Sequence, residues 1–170
     1  IESGSMPLHM VQGDIVSYLG YVVDAFRGHA LAKRIKLHFL AEEAEVIMDY
    51  DQEKYMTILS NLISNAIKFT PEEGNVYVSL VFRDMGEDSV FELTVRDTGI
   101  GIPPEELEHI FERFYQAQNE LTGSGIGTGI GLSLVHELVK MLGGEIHVRS
   151  AQDKGTTFTI TFPLRKETIN

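Results

Sequence analysis

Cysteine is absent from the 170-residue sequence, which excludes disulfide bonds, thiolate catalysis and zinc sites built on thiolates. The sequence also lacks any apolar run of about 18 residues, the length that a membrane-spanning helix needs. Basic residues are scarce, since 14 Lys and Arg stand against 25 Asp and Glu and the formal net charge is -11. We therefore expect neither nucleic acid nor a membrane as a direct partner of this chain.

The remaining composition is that of an ordinary folded domain. Apolar residues make up 43% of the chain and charged residues 23%. The first six residues, Ile1 to Met6, contain no apolar signal segment, and we expect them to be the remnant of an expression tag. Residues 7–170 have the length of one domain, so we expect a single domain excised from a longer protein.

The segment before Asp97 has the pattern of a strand with one buried face. Apolar residues at 91, 93 and 95 alternate with polar residues at 92, 94 and 96, and Asp97 continues the apolar parity. Its carboxylate should therefore point inward, where it needs a hydrogen-bonding partner. Gly99 and Gly101 follow and allow a ligand to approach the backbone closely. An inward acid beside bare backbone suits an exocyclic amine such as that of adenine. The alternative is a strand end closed by an Asp-Gly turn.

A predicted helix places three polar residues on one face. Asn61, Asn65 and Lys68 are spaced i, i+4, i+7. The amide oxygen of Asn65 is a hard, neutral ligand suited to Mg2+, and Lys68 can offset phosphate charge. The alternative is a solvated polar stripe, although two asparagines are unfavourable inside a helix.

The glycines between 123 and 131 fall at every second position. This spacing fits neither the G-x-G-x-x-G fingerprint of dinucleotide-binding folds nor a phosphate-binding P-loop, which also needs a lysine. The remaining interpretation is a lid that leads into a helix whose first amides can meet phosphate oxygens. The alternative is a disordered linker.

Five motifs in this order resemble those of the ATP-binding catalytic domain of sensor histidine kinases, within the superfamily of gyrase, chaperone, histidine kinase and mismatch-repair ATPases. They are an N box at residues 61–70, a first glycine box at 97–101, a phenylalanine box at 111–115, a second glycine box at 127–132 and a last glycine box at 155–158. The resemblance covers nearly the whole chain.

The fold that the patterns predict, and that the resemblance also implies, is a two-layer α/β sandwich. The resemblance further implies that this sandwich is of the Bergerat type. A mixed, mostly antiparallel sheet is covered on one face by three helices. We predict a first helix capped by Asp14 and running to about Lys33, a second capped by Asp51 and ending before Pro71, and a third ending at Leu142. Strands are predicted at about 7–13, 35–39, 46–48, 76–83, 90–97, 145–150 and 156–162.

The resemblance implies ATP and Mg2+ as cofactors and assigns the site residues. Asp97 would read the adenine amine with help from Thr157 through water, and Asn65 would coordinate Mg2+. Asn61 and Lys68 would face the phosphates, so that the expected catalytic residues are Asn61, Asn65 and Lys68. The other expected nucleotide contacts are Phe69, Gly99, Gly101, Ile102, Arg113, Tyr115, Gly127, Thr128, Gly129, Ile130, Gly131 and Leu132.

Two departures from relatives bear on the chemistry. ATP-hydrolysing members carry a glutamate one turn before the metal-binding asparagine, and this chain has Asn61 there. The absence of that base favours phosphoryl transfer to an imidazole over hydrolysis. Gln116 stands where many relatives have a cation, and glutamine is uncharged. Arg113 or Lys68 would therefore supply the positive charge that is missing there. The aromatic residues Phe111, Phe114 and Tyr115 are expected to anchor the lid to the core.

No histidine in this chain is expected to accept the phosphoryl group. His136 lies on a helix that packs in the core, and we expect it to be structural. The implied partners are a histidine-bearing dimerisation domain of the same kinase and a response-regulator receiver domain. The implied setting is cytoplasmic, within a membrane-anchored sensor kinase. Two alternatives stay open: a non-catalytic nucleotide-binding module, and a serine-directed kinase of the anti-sigma type on the same fold.

Overall fold

A five-stranded sheet carries the main helices of the domain on one face. The computed structural model describes residues 7–115 and 131–164. The strands are β1 (Met10–Asp14), β2 (Lys36–Ala41), β3 (Ile47–Asp51), β4 (Asn75–Arg83), β5 (Val90–Asp97), β6 (Glu145–Ala151) and β7 (Gly155–Pro163). The helices are α1 (Ile15–Asp24), α2 (Arg27–Ala32), α3 (Gln52–Phe69), α4 (Pro104–Leu107) and α5 (Gly131–Met141), with a 3-10 turn at Gly86–Asp88.

The strand order in the large sheet is β2-β4-β5-β7-β6. Only β2 and β4 run parallel, and the other three neighbouring pairs are antiparallel. β1 and β3 form a separate antiparallel pair. The predicted mixed, mostly antiparallel sheet is therefore confirmed.

The core lies between the sheet and the three longest described helices, α1, α3 and α5. Alternate residues of β4, β5 and β7 are buried, so each strand turns one side toward the helices. α3 occupies the centre, since it contacts α1, α5 and β5. No helix in the described ranges is long and apolar enough to cross a membrane. The predicted two-layer α/β architecture is confirmed.

The prediction of one continuous helix from 14 to about 33 is wrong, because the chain breaks at Ala25 and Phe26 between α1 and α2. Arg27 stabilises the break: its guanidinium donates to Asp24 at 2.8 Å and to the carbonyl oxygen of Leu37 on β2 at 2.7 Å. The redirected α2 packs on β2 and buries Ala30. Helical periodicity continues through such a break and does not reveal it.

Both predicted N-caps are confirmed. Asp14 accepts from the backbone N–H of Val16 at 3.0 Å at the start of α1. Asp51 accepts from the N–H of Lys54 at 3.1 Å at the start of α3. Asp51 and Lys54 also form an ion pair of 3.1 Å, with side chains only 1% and 6% exposed.

The buried pair ties the entering chain to α3. The ammonium of Lys54 donates to the carbonyl oxygen of Pro7 at 2.9 Å, and the N–H of His9 donates to Asp51 Oδ2 at 2.9 Å. Together with the N–H of Lys54 and the ion pair itself, these contacts give the two charged groups four hydrogen bonds, which offset the cost of burying them.

We expect Lys54→Met to lower the free energy of unfolding by about 3 to 5 kcal/mol, because it leaves the Asp51 carboxylate buried without its countercharge. Urea unfolding measures the loss. The matched control is Asp24→Asn, which breaks an exposed pair with Arg27 and should cost less than about 1 kcal/mol. Equal losses in the two variants would contradict the role given to the buried pair.

Candidate functional site

Asp97 ends β5 with its side chain on the helix-facing side of the sheet, and the residue is 7% exposed. Its Oδ1 accepts hydrogen bonds from the N–H groups of Gly99 at 2.9 Å and Thr156 at 3.2 Å. The predicted inward carboxylate with partners is therefore confirmed. Both bonds end on Oδ1, so within the described residues no hydrogen bond reaches Oδ2. The carboxylate is held in one orientation with one oxygen left to accept from a ligand.

Burial raises the pKa of Asp97 to about 6, against the lowering effect of the hydrogen bonds from Gly99 and Thr156. The group is therefore mostly ionised at neutral pH, and an ionised carboxylate only accepts hydrogen bonds. Such a group selects a ligand atom that carries hydrogens, as the amine of adenine does.

The glycines after Asp97 are required by the protein's own backbone. A Cβ on Gly99 would collide with the carbonyl oxygen of Phe69, and Gly101 has a φ of +73° and would collide with the carbonyl of Ala151. The N–H of Ile100 donates to the Phe69 carbonyl at 3.2 Å. The first glycine box thus joins the last residue of α3 to β5. Its glycines are needed for this close backbone packing as well as for the expected approach of a ligand.

The N-box residues lie on one face of α3, and Asn61, Asn65 and Lys68 are all half-buried. Ser64, which is spaced i, i+3 from Asn61 and borders the same face, is exposed, whereas these three residues are only partly exposed and so do not form a fully solvated stripe. Asn61 donates to the carbonyl of Thr57 at 2.7 Å.

The start of α5 meets this face. A Cβ on Gly131, the first residue of α5, would lie 2.7 Å from Asn61 Oδ1. Leu132 follows on α5 and is half-buried against the core. The ammonium of Lys68 lies 5.4 Å from the centroid of the Phe69 ring. The structure therefore brings together the N box and the end of the second glycine box.

The expectation that Thr157 helps Asp97 to read the adenine amine through water does not fit the strand register. Thr157 pairs with Arg96 across β5 and β7, and Thr156 pairs with Asp97. Because successive side chains of a strand point to opposite faces, Thr156 shares the inner face with Asp97 and Thr157 lies on the outer face. The sequence pattern could have identified Thr156, because the apolar residues at 158, 160 and 162 mark the inner face of β7 and position 156 falls on that face.

Ser150 on β6 was also missed by the sequence interpretation. Its Oγ accepts from the N–H of Ile102 at 2.7 Å and lies 2.8 Å from Thr156 Oγ1. Ile102 is thereby fixed beside the first glycine box. Ser150 reaches this position because β6 and β7 are joined by a tight turn and pair so that Ser150 lies opposite Thr156.

The phenylalanine box is divided between half-buried and exposed residues. Phe111 packs on Phe158 at a ring distance of 6.4 Å and on His136 at 5.2 Å, as a structural His136 requires. The expected anchoring by Phe114 is wrong, because this residue has a φ of +66° and is 66% exposed. Arg113 is exposed too, with its guanidinium 5.4 Å from the Phe114 ring.

Tyr115 is held at its hydroxyl, which donates to Glu106 at 2.6 Å. Burial and this hydrogen bond raise the pKa of Tyr115 to about 12. Gln116, Gly127, Thr128, Gly129 and Ile130 lie outside the described residues. Within the described ranges no group of three His, Cys, Asp or Glu residues could hold a metal ion. A metal at Asn65 would therefore need further oxygen ligands, such as phosphate oxygens.

Most of the sequence matches a known protein family. The model described as "Histidine kinase-, DNA gyrase B-, and HSP90-like ATPase" matches residues 50–166. The chain belongs to this family. The match starts at the end of β3 and includes α3, Asp97 and the last strand, so the site described above lies within this histidine kinase-, gyrase B- and HSP90-like ATPase domain.

Curated relatives of this ATPase domain include the sensor histidine kinase WalK of Bacillus subtilis, which is 35% identical over 155 residues. The matched region is 90% of this chain and 24% of WalK, so the chain spans about a quarter of the length of that relative. The resemblance to sensor histidine kinases is confirmed.

Two solved structures have the same fold as this ATPase domain. Full-length ShkA in complex with AMPPNP is 27% identical, with a TM-score of 0.82 over 97% of this chain and 33% of that chain. The mycobacterial sensor histidine kinase MprB is 28% identical, with a TM-score of 0.75 over 94% of this chain and 100% of that chain. The expectation that the domain binds ATP is supported by the family match and by the first of these structures.

We expect Asp97→Asn to stabilise the ligand-free domain in a pH-dependent way. The folded-state pKa of Asp97 lies at about 6, above the ordinary value of 3.8, so its contribution to stability is full below about pH 4 and is lost as the pH rises through 6. The asparagine keeps an oxygen for the two N–H donors and carries no charge. The variant should match the wild type near pH 4 and exceed it by about 3 kcal/mol above pH 7.

Urea unfolding at a series of pH values between 4 and 8 measures this difference. Asp88→Asn, an exposed acid in the 3-10 turn, is the control and should change the stability little at any pH. An Asp97→Asn variant that is less stable than the wild type at pH 8 would show that the buried charge is not costly.

Proposed function

We propose that this chain is the ATP-binding catalytic domain of a sensor histidine kinase, formed by residues 7–170. It presents ATP so that the γ-phosphoryl group passes to a histidine on a separate dimerisation domain. The observation that carries the proposal is the buried carboxylate of Asp97, which is fixed by two backbone N–H groups inside the span matched by the family.

The adenine end of the proposed site is built on Asp97. Its Oδ2 accepts from the exocyclic amine, and Thr156 lies beside it on the same face of the sheet. Ile102 and Phe69 border this region, because Ile102 is fixed by Ser150 and Phe69 by Ile100. A guanine or pyrimidine edge with an acceptor at the amine position would meet a charged acceptor, which is unfavourable.

The phosphate end is proposed to lie along the polar face of α3. Lys68 offsets negative charge, and Asn65 supplies an amide oxygen to Mg2+. When bound, ATP with Mg2+ supplies the γ-phosphoryl group and the charge neutralisation that its transfer needs. Arg113, Tyr115 and residues 127–132 complete the proposed contacts.

Asn61 favours transfer over hydrolysis. Its amide nitrogen is engaged with the carbonyl of Thr57, and an amide is too weak a base to activate water. A histidine imidazole is itself a good nucleophile and needs no such base. The partners proposed are therefore the histidine-bearing dimerisation domain of the same kinase and a response-regulator receiver domain, with the domain acting in the cytoplasm. Neither the non-catalytic module nor the serine-directed kinase is favoured by the relatives.

We expect Asn65→Ala to reduce phosphoryl transfer at least about 100-fold, because the metal would lose a ligand that positions the phosphates. The measurement is transfer of radiolabel from γ-labelled ATP, in the presence of Mg2+, to the histidine-bearing domain of the parent protein. The product should be acid-labile, as a phosphohistidine is.

Ser64→Ala is the matched control, since Ser64 is the exposed neighbour of Asn65 on α3 and its loss should leave transfer unchanged. An Asn65→Ala protein that transfers at the wild-type rate would refute the proposed metal role. An acid-stable product would instead identify a serine-directed kinase.

A further inference from the structure

The hydroxyl of Ser150 meets three polar groups at once. The N–H of Ile102 donates to Ser150 Oγ at 2.7 Å, the carbonyl oxygen of Gly155 lies at 3.0 Å, and Thr156 Oγ1 lies at 2.8 Å. Ser150 and Thr156 are cross-strand partners in the β6–β7 pair. The hydroxyl therefore connects the first glycine box to the residue beside Asp97.

The number of protons fixes the direction of each of these hydrogen bonds. A serine hydroxyl has one hydrogen and two acceptor lone pairs. A carbonyl oxygen can only accept, so the hydrogen of Ser150 goes to Gly155. The N–H of Ile102 occupies one lone pair, and the other can be used only if Thr156 donates its own hydrogen to Ser150. The opposite arrangement would leave Ser150 Oγ and the Gly155 oxygen in contact without a hydrogen between them.

This arrangement determines what Thr156 offers to a ligand. Its hydrogen is engaged with Ser150, so Oγ1 presents only lone pairs. Thr156 is 6% exposed and lies next to Asp97, which is itself an acceptor. Among the described residues, the two side chains that meet at this end of the site, Asp97 and Thr156, therefore both present acceptors.

We infer that Ser150 is a specificity-determining positioning residue, which turns the Thr156 hydroxyl into an acceptor and so selects a purine whose 6-substituent carries hydrogens, as that of a 6-aminopurine does. The inference rests on the proposed function, because it concerns the base of the nucleotide. Ser150 acts through Thr156 and needs no contact with the ligand.

The test compares the affinities for ADP and inosine diphosphate, which carries an oxygen in place of the 6-amine and a hydrogen on N1. The N1 hydrogen is the same for every variant, so a change in the affinity ratio between variants reports on the 6-position. In the wild type this oxygen faces acceptors, so ADP should bind far more tightly. In Ser150→Ala the hydrogen of Thr156 is released and can be donated to that oxygen. We expect the ratio of the two affinities, measured by calorimetry with Mg2+, to fall about tenfold.

Two further variants separate this role from simple support of the fold. Ser150→Thr keeps the hydroxyl and should keep the wild-type ratio. In a Thr156→Val background, Ser150→Ala should leave the ratio unchanged, because no hydroxyl is left to reorient. If Ser150→Ala weakens both nucleotides by the same factor, or shifts the ratio equally in both backgrounds, the inference is overturned while the proposed function stands. A wild type that binds no ADP would overturn both.

A measurement on the wild-type protein covers the case in which Ser150→Ala does not fold. The hydroxyl proton of Thr156 should exchange slowly with water and give an NMR cross-peak to the β protons of Ser150. Thr157 on the outer face of the same strand is the internal control. A Thr156 hydroxyl proton that exchanges as fast as that of Thr157 would overturn the inference.

Discussion

A carboxylate buried at the end of a central strand is the constraint on which this structure depends. Asp97 is costly to bury, and its charge is stabilised by N–H groups from its own glycine box and from the neighbouring strand β7. The second of these donors, the N–H of Thr156, reaches Asp97 only when β5 and β7 pair in the observed register. The same contacts leave one carboxylate oxygen for a ligand, so the adenine-reading group is positioned by the sheet itself.

The rest of the site is carried by α3, whose two ends are fixed by different parts of the chain. At its start, the Asp51–Lys54 pair binds the entering segment. At its end, Lys33 of the α2–β2 connection donates to the carbonyl oxygens of Ile67 and Lys68 at 2.7 and 2.9 Å. These carbonyl groups lie in the last turn, which lacks the regular i+4 partners, and that of Ile67 also accepts from the N–H of Thr70 at 3.4 Å. Burial lowers the pKa of Lys33. The hydrogen bond from Ile100 to Phe69 then joins this helix end to the glycine box.

Local sequence patterns were sufficient where one element determines the outcome. The alternation in β5 predicted the inward Asp97, and the side-chain chemistry of Asp14 and Asp51 predicted both helix caps. The spacing of Asn61, Asn65 and Lys68 placed them on one face of α3. Motif order identified the family, because five weak signals in a fixed sequence are together specific.

Patterns failed where the outcome depends on a distant element. The choice between Thr156 and Thr157 is set by the register of β7 against β5, which no single strand reveals. The break between α1 and α2 is stabilised by an arginine that reaches β2. Ser150 looked like an ordinary strand residue until pairing placed its hydroxyl between Ile102 and Thr156. Phe114 shares its aromatic character with Phe111, but its backbone conformation turns it to solvent.

The most direct test of the account is titration calorimetry with ADP and Mg2+ at pH 7.5, where Asp97 is ionised, on the wild type and Asp97→Asn. Asp88→Asn serves as the exposed control. We expect ADP to bind to the wild type and to the control, and we expect binding to Asp97→Asn to be lost or weakened at least about tenfold. Equal binding in all three proteins, or no binding in the wild type, would contradict the assignment of Asp97 as the group that reads the base.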